Sequence, residues 1–167
     1  MSRWTVVIPT WTPTAVADTT AFTSGGHVSI QGGTSTQRVN ILEVFCGGAA
    51  AAGAPMFLQL ARHSTVGATL TALAGPNSIE PRDPAATALA NPPAPFVAST
   101  TQPQADANAK LDSFAFNAFG GLVRKTWNPG EGPIIQGNAA SSGELGLNAF
   151  TGGTVGLMGS HIEYEPL

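Results

Sequence analysis

Charged side chains are scarce in this chain. Asp, Glu, Lys and Arg make up 10% of its 167 residues, against roughly 25% in an average soluble domain. The few cations are scattered singly and the formal net charge is -3, so the basic surface that binds nucleic acid is not expected. A surface of Thr, Ser, Asn, Gln, Gly and Ala instead suits contact with other protein, because an isolated soluble protein usually keeps a well-charged surface.

Cysteine is limited to one residue, Cys46, so an intramolecular disulfide is excluded and a disulfide-stapled secreted scaffold is not expected. We expect this thiol to fill a core position, where it would be inert. No apolar run approaches the roughly 18 residues of a membrane span, and the amino terminus lacks the pattern of a signal peptide. These absences predict a protein without a membrane partner, made and used in a cytoplasm or in a particle assembled there.

Signatures of catalysis and of metal or cofactor binding are also missing. His27, His63 and His161 do not form an HxH or HxxH spacing, and no CxxC pair is present. The glycine dipeptides belong to no phosphate-binding loop, and no GxSxG elbow surrounds a serine. Asp112 and Glu144 are candidate acids, but such residues more often face solvent. We therefore predict no catalytic, cofactor-binding or metal-binding residue, and a protein that is not an enzyme.

Glycine (20 residues) and proline (13 residues) are plentiful, and short β-favouring runs recur between them. In residues 55–63, Met56, Leu58 and Leu60 fall on one face of an alternating pattern, which is typical of a strand. About eight to ten such strands are expected. The sequence therefore predicts an all-β fold, a jelly-roll-like β-sandwich or a small barrel, with a single domain over residues 26–167.

Residues 1–25 are predicted to form an extended N-terminal arm, because only residues 5–8 within them resemble a strand. The arm carries three large aromatic side chains, Trp4, Trp11 and Phe22. Tryptophan is costly to leave in water, so we expect the arm to lie against its own β core or against a neighbouring subunit.

Residues 83–90 are predicted to form one short inserted helix, with Asp83 as its cap and Pro84 in its first turn. The proline-rich residues 91–95 should end it abruptly. A larger helical insertion over residues 69–90 is the alternative.

The motif Asn-Ala-Phe occurs twice, in FNAFGG at residues 116–121 and in LNAFTGG at residues 147–153. One interpretation is a pair of inner strands that each end at a glycine corner. The other makes Asn117 and Asn148 a paired polar site. Strand packing and turn chemistry account for the repeated positions, so the structural interpretation is preferred.

Arg124, Lys125 and Trp127 fall on one predicted strand, residues 122–127. Trp127 could offer a stacking surface to a sugar, or the charges could mark an exposed edge strand that discourages uncontrolled pairing. We retain Arg124 and Trp127 as candidate interface residues.

Four segments, residues 28–38, 56–62, 148–153 and 159–167, resemble small structural proteins of tailed bacteriophages that decorate or cement the head. The resemblance implies a β-sandwich or jelly roll that binds the outside of an icosahedral shell. Such proteins commonly sit as trimers or dimers across joints between major capsid protein subunits, often reaching with a terminal arm. The resemblance supplies no catalytic residue.

The leading hypothesis is therefore a capsid decoration, or cement, protein on the outer surface of a virion, made in the host cytoplasm. Its partners would be the major capsid protein and itself, as a homotrimer with a dimer as the alternative, and many weak contacts would act together. Trp4, Trp11 and Phe22 are the predicted arm contacts. The alternative is a carbohydrate- or receptor-binding β-sandwich module that uses Trp127 or Trp11. An enzyme of the barrel type is a third hypothesis.

Overall fold

The computed structural model describes residues 3–15, 21–22, 25–34, 36–72, 80–87, 89–150 and 154–167. Within them the chain forms twelve strands and no helix, so no described segment could cross a bilayer as a helix. The strands are β1 (Trp4–Trp11), β2 (His27–Gln31), β3 (Arg38–Gly48), β4 (Pro55–Thr65), β5 (Ala68–Ala72), β6 (Glu80–Pro81), β7 (Ala94–Thr101), β8 (Gln104–Asn117), β9 (Leu122–Thr126), β10 (Ile134–Gln136), β11 (Glu144–Phe150) and β12 (Met158–Pro166).

The strands form two antiparallel sheets. Sheet A has the order β10-β3-β12-β1-β6, and β9 also pairs with β3; sheet B has the order β5-β7-β2-β11-β4-β8. Neither sheet closes on itself, which distinguishes a sandwich from a barrel. The all-β prediction and the sandwich are thus confirmed, and the small-barrel alternative is wrong.

The main apolar core lies between the sheets. Alternation along each strand supplies it, because every second side chain points to the same face. In β4, Met56, Leu58 and Leu60 are buried there, as the alternating pattern predicted. Burial of each such side chain contributes about 1.5–3 kcal/mol. Residues from both ends of the chain join them, including Trp4 and Tyr164, which are register partners between β1 and β12.

Cys46 lies in this core, and the Ser160 hydroxyl donates a weak hydrogen bond to its sulfur at 3.7 Å. Burial raises the pKa of the thiol to about 12. We therefore expect native protein at about pH 8 to resist thiol reagents, whereas denatured protein reacts fully. Timed labelling followed by mass spectrometry tests this expectation. Native labelling as fast as that of the denatured chain would contradict it.

Part of the predicted N-terminal arm is a strand of the sandwich. Strand β1 pairs with β12 along Trp4 to Trp11 and with β6 at Trp4 and Thr5. Trp4, Val6 and Ile8 are buried in the chain's own core, which removes the cost of leaving tryptophan in water. Residues 1–2, 16–20 and 23–24 of the predicted arm lie outside the described residues.

The predicted helix over residues 83–90 is replaced by turns wherever the structure describes this segment. Asp83 forms a turn rather than a helix cap: its carboxylate accepts from the Ala85 amide and its carbonyl from the Ala86 amide, both at 2.9 Å. One turn between prolines is too short to repay the cost of helix nucleation. The alternative of a larger helical insertion over residues 69–90 is wrong at residues 69–72 and 80–81, which belong to strands β5 and β6, while residues 73–79 and 88 are outside the described residues.

Candidate functional site

Six polar side chains form a buried group on the outer face of sheet B, the face turned away from the main core. His27, Ser29 and Gln31 alternate in β2 with the core residues Val28 and Ile30. Three further members come from the neighbouring strands β4 and β11. We call this group the polar cluster; its members are His27, Ser29, Gln31, His63, Glu144 and Asn148.

The polar cluster is covered by a small outer layer formed by Phe22 and by residues 102–105, where β7 leads into β8; Gln104 and Ala105 already pair with β4. The ring of Phe22 lies 5.7 Å from that of His27 and 5.6 Å from that of His63. Its amide donates to the Pro103 carbonyl at 2.8 Å. A second apolar cluster, separate from the main core, joins Phe22 to Ala61, Ala105 and Phe150. The cover explains why polar side chains on an outer sheet face are buried.

Glu144 is the acceptor at the centre of the polar cluster. One carboxylate oxygen accepts from His63 Nδ1 at 2.5 Å. The other accepts from Gln31 Nε2 and from the Gly67 amide, both at 2.8 Å. Three donors and no acceptor surround it in the described residues, which suits an ionised carboxylate.

His63 makes hydrogen bonds through both ring nitrogens. Besides Nδ1, its Nε2 lies 3.1 Å from Asn148 Oδ1. In this orientation of the Asn148 amide both ring nitrogens face acceptors, whereas the amide nitrogen of Asn148 is buried and has no hydrogen-bond partner among the described residues. Glu144 and His63 form a fully buried, hydrogen-bonded pair.

The two contacts of His27 suit the neutral ring. Its Nε2 donates to Gln102 Oε1 at 3.3 Å, and its Nδ1 accepts from the Ser29 hydroxyl at 2.8 Å. Burial lowers the pKa of His27 to about 4, and the neighbouring His63 lowers it further, against the opposing effects of Gln102 and Glu144. The two rings lie edge to face, with centroids 6.3 Å apart.

The polar cluster also contacts this cover, since His27 bonds to Gln102 in the connection between β7 and β8. General acid–base chemistry requires a reacting atom within reach of the group that transfers the proton. All six side chains of the polar cluster are buried, so a molecule in solvent does not reach them in this structure. Among the described residues, no group of three or more His, Cys, Asp or Glu side chains is arranged to hold a metal ion.

A different feature occupies one end of the sandwich. Backbone hydrogen bonds join three segments there: the Gly48 amide donates to Gly121, the Ala50 amide to Ala118, and the Ala49 amide to Leu157. None of these segments, residues 47–57, 115–122 and 154–159, contains Asp, Glu, Lys, Arg or His. We call them the uncharged end.

The uncharged end carries large apolar side chains in solvent. Leu122 is 67% exposed, Phe119 58%, Phe57 48% and Leu157 38%. Ala49, Ala51 and Ala52 in the same segments are also exposed. Several large apolar side chains exposed on segments that hydrogen bonds join are typical of an interaction surface, whereas a single exposed leucine is not.

The structure does not bring the five predicted interface residues together. Trp4 is buried between the sheets and Phe22 in the outer layer over sheet B. Trp11 ends β1, and its side chain lies outside the described part of the structure. Arg124 is exposed in β9, and Trp127, just after β9, is half-buried against the core with Lys125 Nζ 5.8 Å from its ring centroid.

Arg124 takes part in a polar group on the outer face of sheet A. Its Nε and Nη2 donate to Glu43 Oε2 at 3.0 and 2.8 Å, and His161 Nε2 lies 2.6 Å from Oε1. Burial alone would raise the pKa of Glu43, but these donors outweigh it and hold the pKa below its usual range. The His161 ring stacks on Phe45 at 4.8 Å. Such partly exposed pairs contribute about 1 kcal/mol or less.

Comparison with protein-family models, with curated proteins and with solved structures finds no match for this chain. A functional conclusion must therefore come from the molecule's own surfaces.

Proposed function

We propose that the chain is a structural protein of a virus particle, which binds the outer surface of an icosahedral capsid and stabilises it. The uncharged end is the observation that carries the proposal. Because the uncharged end holds no ionisable side chain, burying it against another protein leaves no charge without a partner. Removal of its apolar surface from water contributes about 25 cal/mol per Å².

The proposed contact surface is the uncharged end, whereas the sequence had predicted the N-terminal arm. Phe119 and Leu122 take the place of Trp4 and Phe22 as anchors, since interface energy concentrates in a few large side chains. A capsid repeats the same surface many times, so contacts from several copies strengthen each other. The partners are the major capsid protein and further copies of the chain, as a homotrimer or a dimer.

The jelly-roll arrangement of the sandwich and the location on the virion surface belong to the same proposal. The chain passes between the sheets repeatedly, from β2 to β3 to β4 and again from β11 to β12, which supports a jelly roll. We propose no enzymatic activity. The carbohydrate-binding alternative gains no specific support, because Trp127 is half-buried and Lys125 lies over its ring.

Leu122→Asp should weaken capsid binding at least about 100-fold. The substitution removes a hydrophobic anchor and places a charged carboxylate in the buried contact. Binding is measured by sedimentation with empty shells assembled from the major capsid protein encoded in the same genome. The affinity of the unchanged chain for the shells should differ little between about 0.1 and 1 M salt, because the uncharged end contributes no ion pair that salt could screen. Val7→Asp is the matched control: Val7 is 42% exposed, but it lies in β1, outside the three segments of the uncharged end.

Each outcome has a defined meaning. A chain that does not sediment with these shells, or a genome without a capsid gene, overturns the proposed function. Shell binding that Leu122→Asp and Val7→Asp both leave intact keeps the function and rejects the uncharged end as its surface.

A further inference from the structure

The peptide bond between Arg82 and Asp83 divides the chain into two halves whose strands interleave. Strands β1–β6 lie before this bond and strands β7–β12 after it. Every pairing of the described strands joins one half to the other, apart from the short contact between β1 and β6. Sheet B alternates strictly between the halves, in the order β5-β7-β2-β11-β4-β8, and sheet A alternates from β10 to β1.

The main core depends on both halves in the same way. Trp4 and Val6 of the first half pack there with Ile162 and Tyr164 of the second. A half on its own would leave the apolar faces of its strands in water, and a lone pair of strands is at best marginally stable. The fold is therefore held by contacts between the halves, while the peptide connection mainly keeps the halves at a high effective concentration.

The connection between the halves, residues 82–93, forms bends and turns wherever the structure describes it. Most of its described residues are exposed. The Arg82 amide donates to the Arg3 carbonyl at 2.7 Å, and the Ala86 amide donates to the Asp83 carbonyl at 2.9 Å. An exposed turn with so few backbone hydrogen bonds is a preferred place for proteolytic cleavage.

The residue types at which a trypsin-like endoprotease cuts, Lys and Arg, mostly lie in strands. Of the seven in the chain, Arg3 lies just before β1, where a cut removes only three residues, and Arg82 lies just after β6, with 56% of its side chain exposed. A protease binds an extended segment on both sides of the bond, so a strand must leave its sheet before it is cut. The sites held in this way are Arg38, Arg62, Lys110, Arg124 and Lys125.

We propose that the bond between Arg82 and Asp83 is a cleavage site for a trypsin-like endoprotease, and that the two pieces remain joined as one sandwich. Hydrolysis uses one water molecule: its hydroxyl group goes to the carbonyl carbon of Arg82 and its remaining hydrogen to the nitrogen of Asp83. At neutral pH these groups become a carboxylate and an ammonium group. Both new charges lie in an exposed turn, where water solvates them. The cleavage site is independent of the proposed function.

Cleavage changes how stability depends on concentration. Unfolding of the uncut protein yields one chain, so its midpoint is the same at every protein concentration. Unfolding of the cut protein separates two chains, so its midpoint should rise with concentration. Because neither piece holds a sheet alone beyond the β1–β6 contact, refolding of the cut protein should require the two pieces to meet.

Limited digestion of the unchanged, native protein with trypsin at about pH 8 tests the site. Mass spectrometry of the denatured digest should show residues 1–82, with or without the first three, and residues 83–167. Size-exclusion chromatography without denaturant should show both pieces in one peak, at the elution volume of the uncut protein. Arg82→Gln should slow this cleavage at least about 100-fold, since the protease pocket loses its cation. Arg62→Gln, in β4, is the matched control and should leave the rate unchanged.

Refolding from urea tests the interleaving. The half-time of the cut protein should fall about tenfold for a tenfold rise in concentration, whereas that of the uncut protein should stay constant. A first cut at Lys110 or at another strand residue overturns the proposal, as does resistance of the bond after Arg82. Pieces that separate on the column, or refolding of the cut protein that is independent of concentration, overturn it as well. These measurements use the unchanged chain, so they decide the matter even if Arg82→Gln does not fold.

Discussion

Glu144→Gln should lower the free energy of unfolding by about 3–5 kcal/mol. The variant keeps the shape of the side chain and an acceptor for the Gly67 amide, but it removes the negative charge from a fully buried pair. A protonated His63 ring would then lie buried without its counter-ion, which is the origin of the expected loss. Urea denaturation measures the effect as a lower midpoint at unchanged slope.

Lys125→Gln is the control, because Lys125 forms an ion pair with Asp112 at 3.2 Å in which both side chains are partly exposed. Its loss should cost less than about 1 kcal/mol. The double variant His63→Gln with Glu144→Gln should lose less than the sum of the two single changes, since no unpaired charge remains. Equal effects of Glu144→Gln and Lys125→Gln would show that the buried pair is not ionic.

Local pattern predicted the strands well. The alternation of Met56, Leu58 and Leu60 correctly placed a strand with one buried face, because a period of two leaves few other structures. The fold class followed from several such runs. The pairing of strands did not follow, since β1 pairs with β12 from the opposite end of the chain, and no local pattern specifies so distant a partner.

The two Asn-Ala-Phe segments flank the same strand. Phe116 of β8 pairs with Met56 of β4, and Phe150 of β11 pairs with Phe57 on the other side. Their asparagines differ in role: Asn117 accepts from the Ala54 and Phe119 amides at 3.0 Å in a turn that continues with Gly120 at φ 70°. Asn148 instead contacts His63. The repeat marks equivalent strands, and residues 151–153 of its second copy lie outside the described residues.

The polar cluster was present in the sequence as a pattern, HxSxQ in β2 and ExGxN in β11. Such alternation ordinarily indicates a strand with one solvent-facing side. His63 and Glu144 are also 81 positions apart in the sequence, so no local spacing pairs them. Only the cover formed by Phe22 and residues 102–105 turns that polar side into a buried one. This cover depends on contacts between distant segments, so the cluster could not be assembled from spacing alone.

Gly146→Ala should destabilise the protein by about 2–4 kcal/mol. Gly146 lies in β11 between its register partners Ser29 and Ala61. A methyl group there would approach His63 Cε1 and Nε2 to 2.5 Å and Asn148 Oδ1 to 2.7 Å. The ring cannot move aside without breaking its bond to Glu144, because both of its nitrogens are engaged. The added methyl group should therefore cost both steric strain and a buried hydrogen bond.

Gly53→Ala separates this effect from the general consequence of replacing glycine. A methyl group at Gly53 meets nothing within 4 Å, so the change should be neutral or stabilise by up to about 1 kcal/mol through the unfolded chain. In Gly146→Ala, the NMR signals of the His63 ring should shift as well, whereas Gly53→Ala should leave them in place. Equal unfolding midpoints for the two variants would mean that the His63 ring is free to move, and that Glu144 does not hold it rigidly.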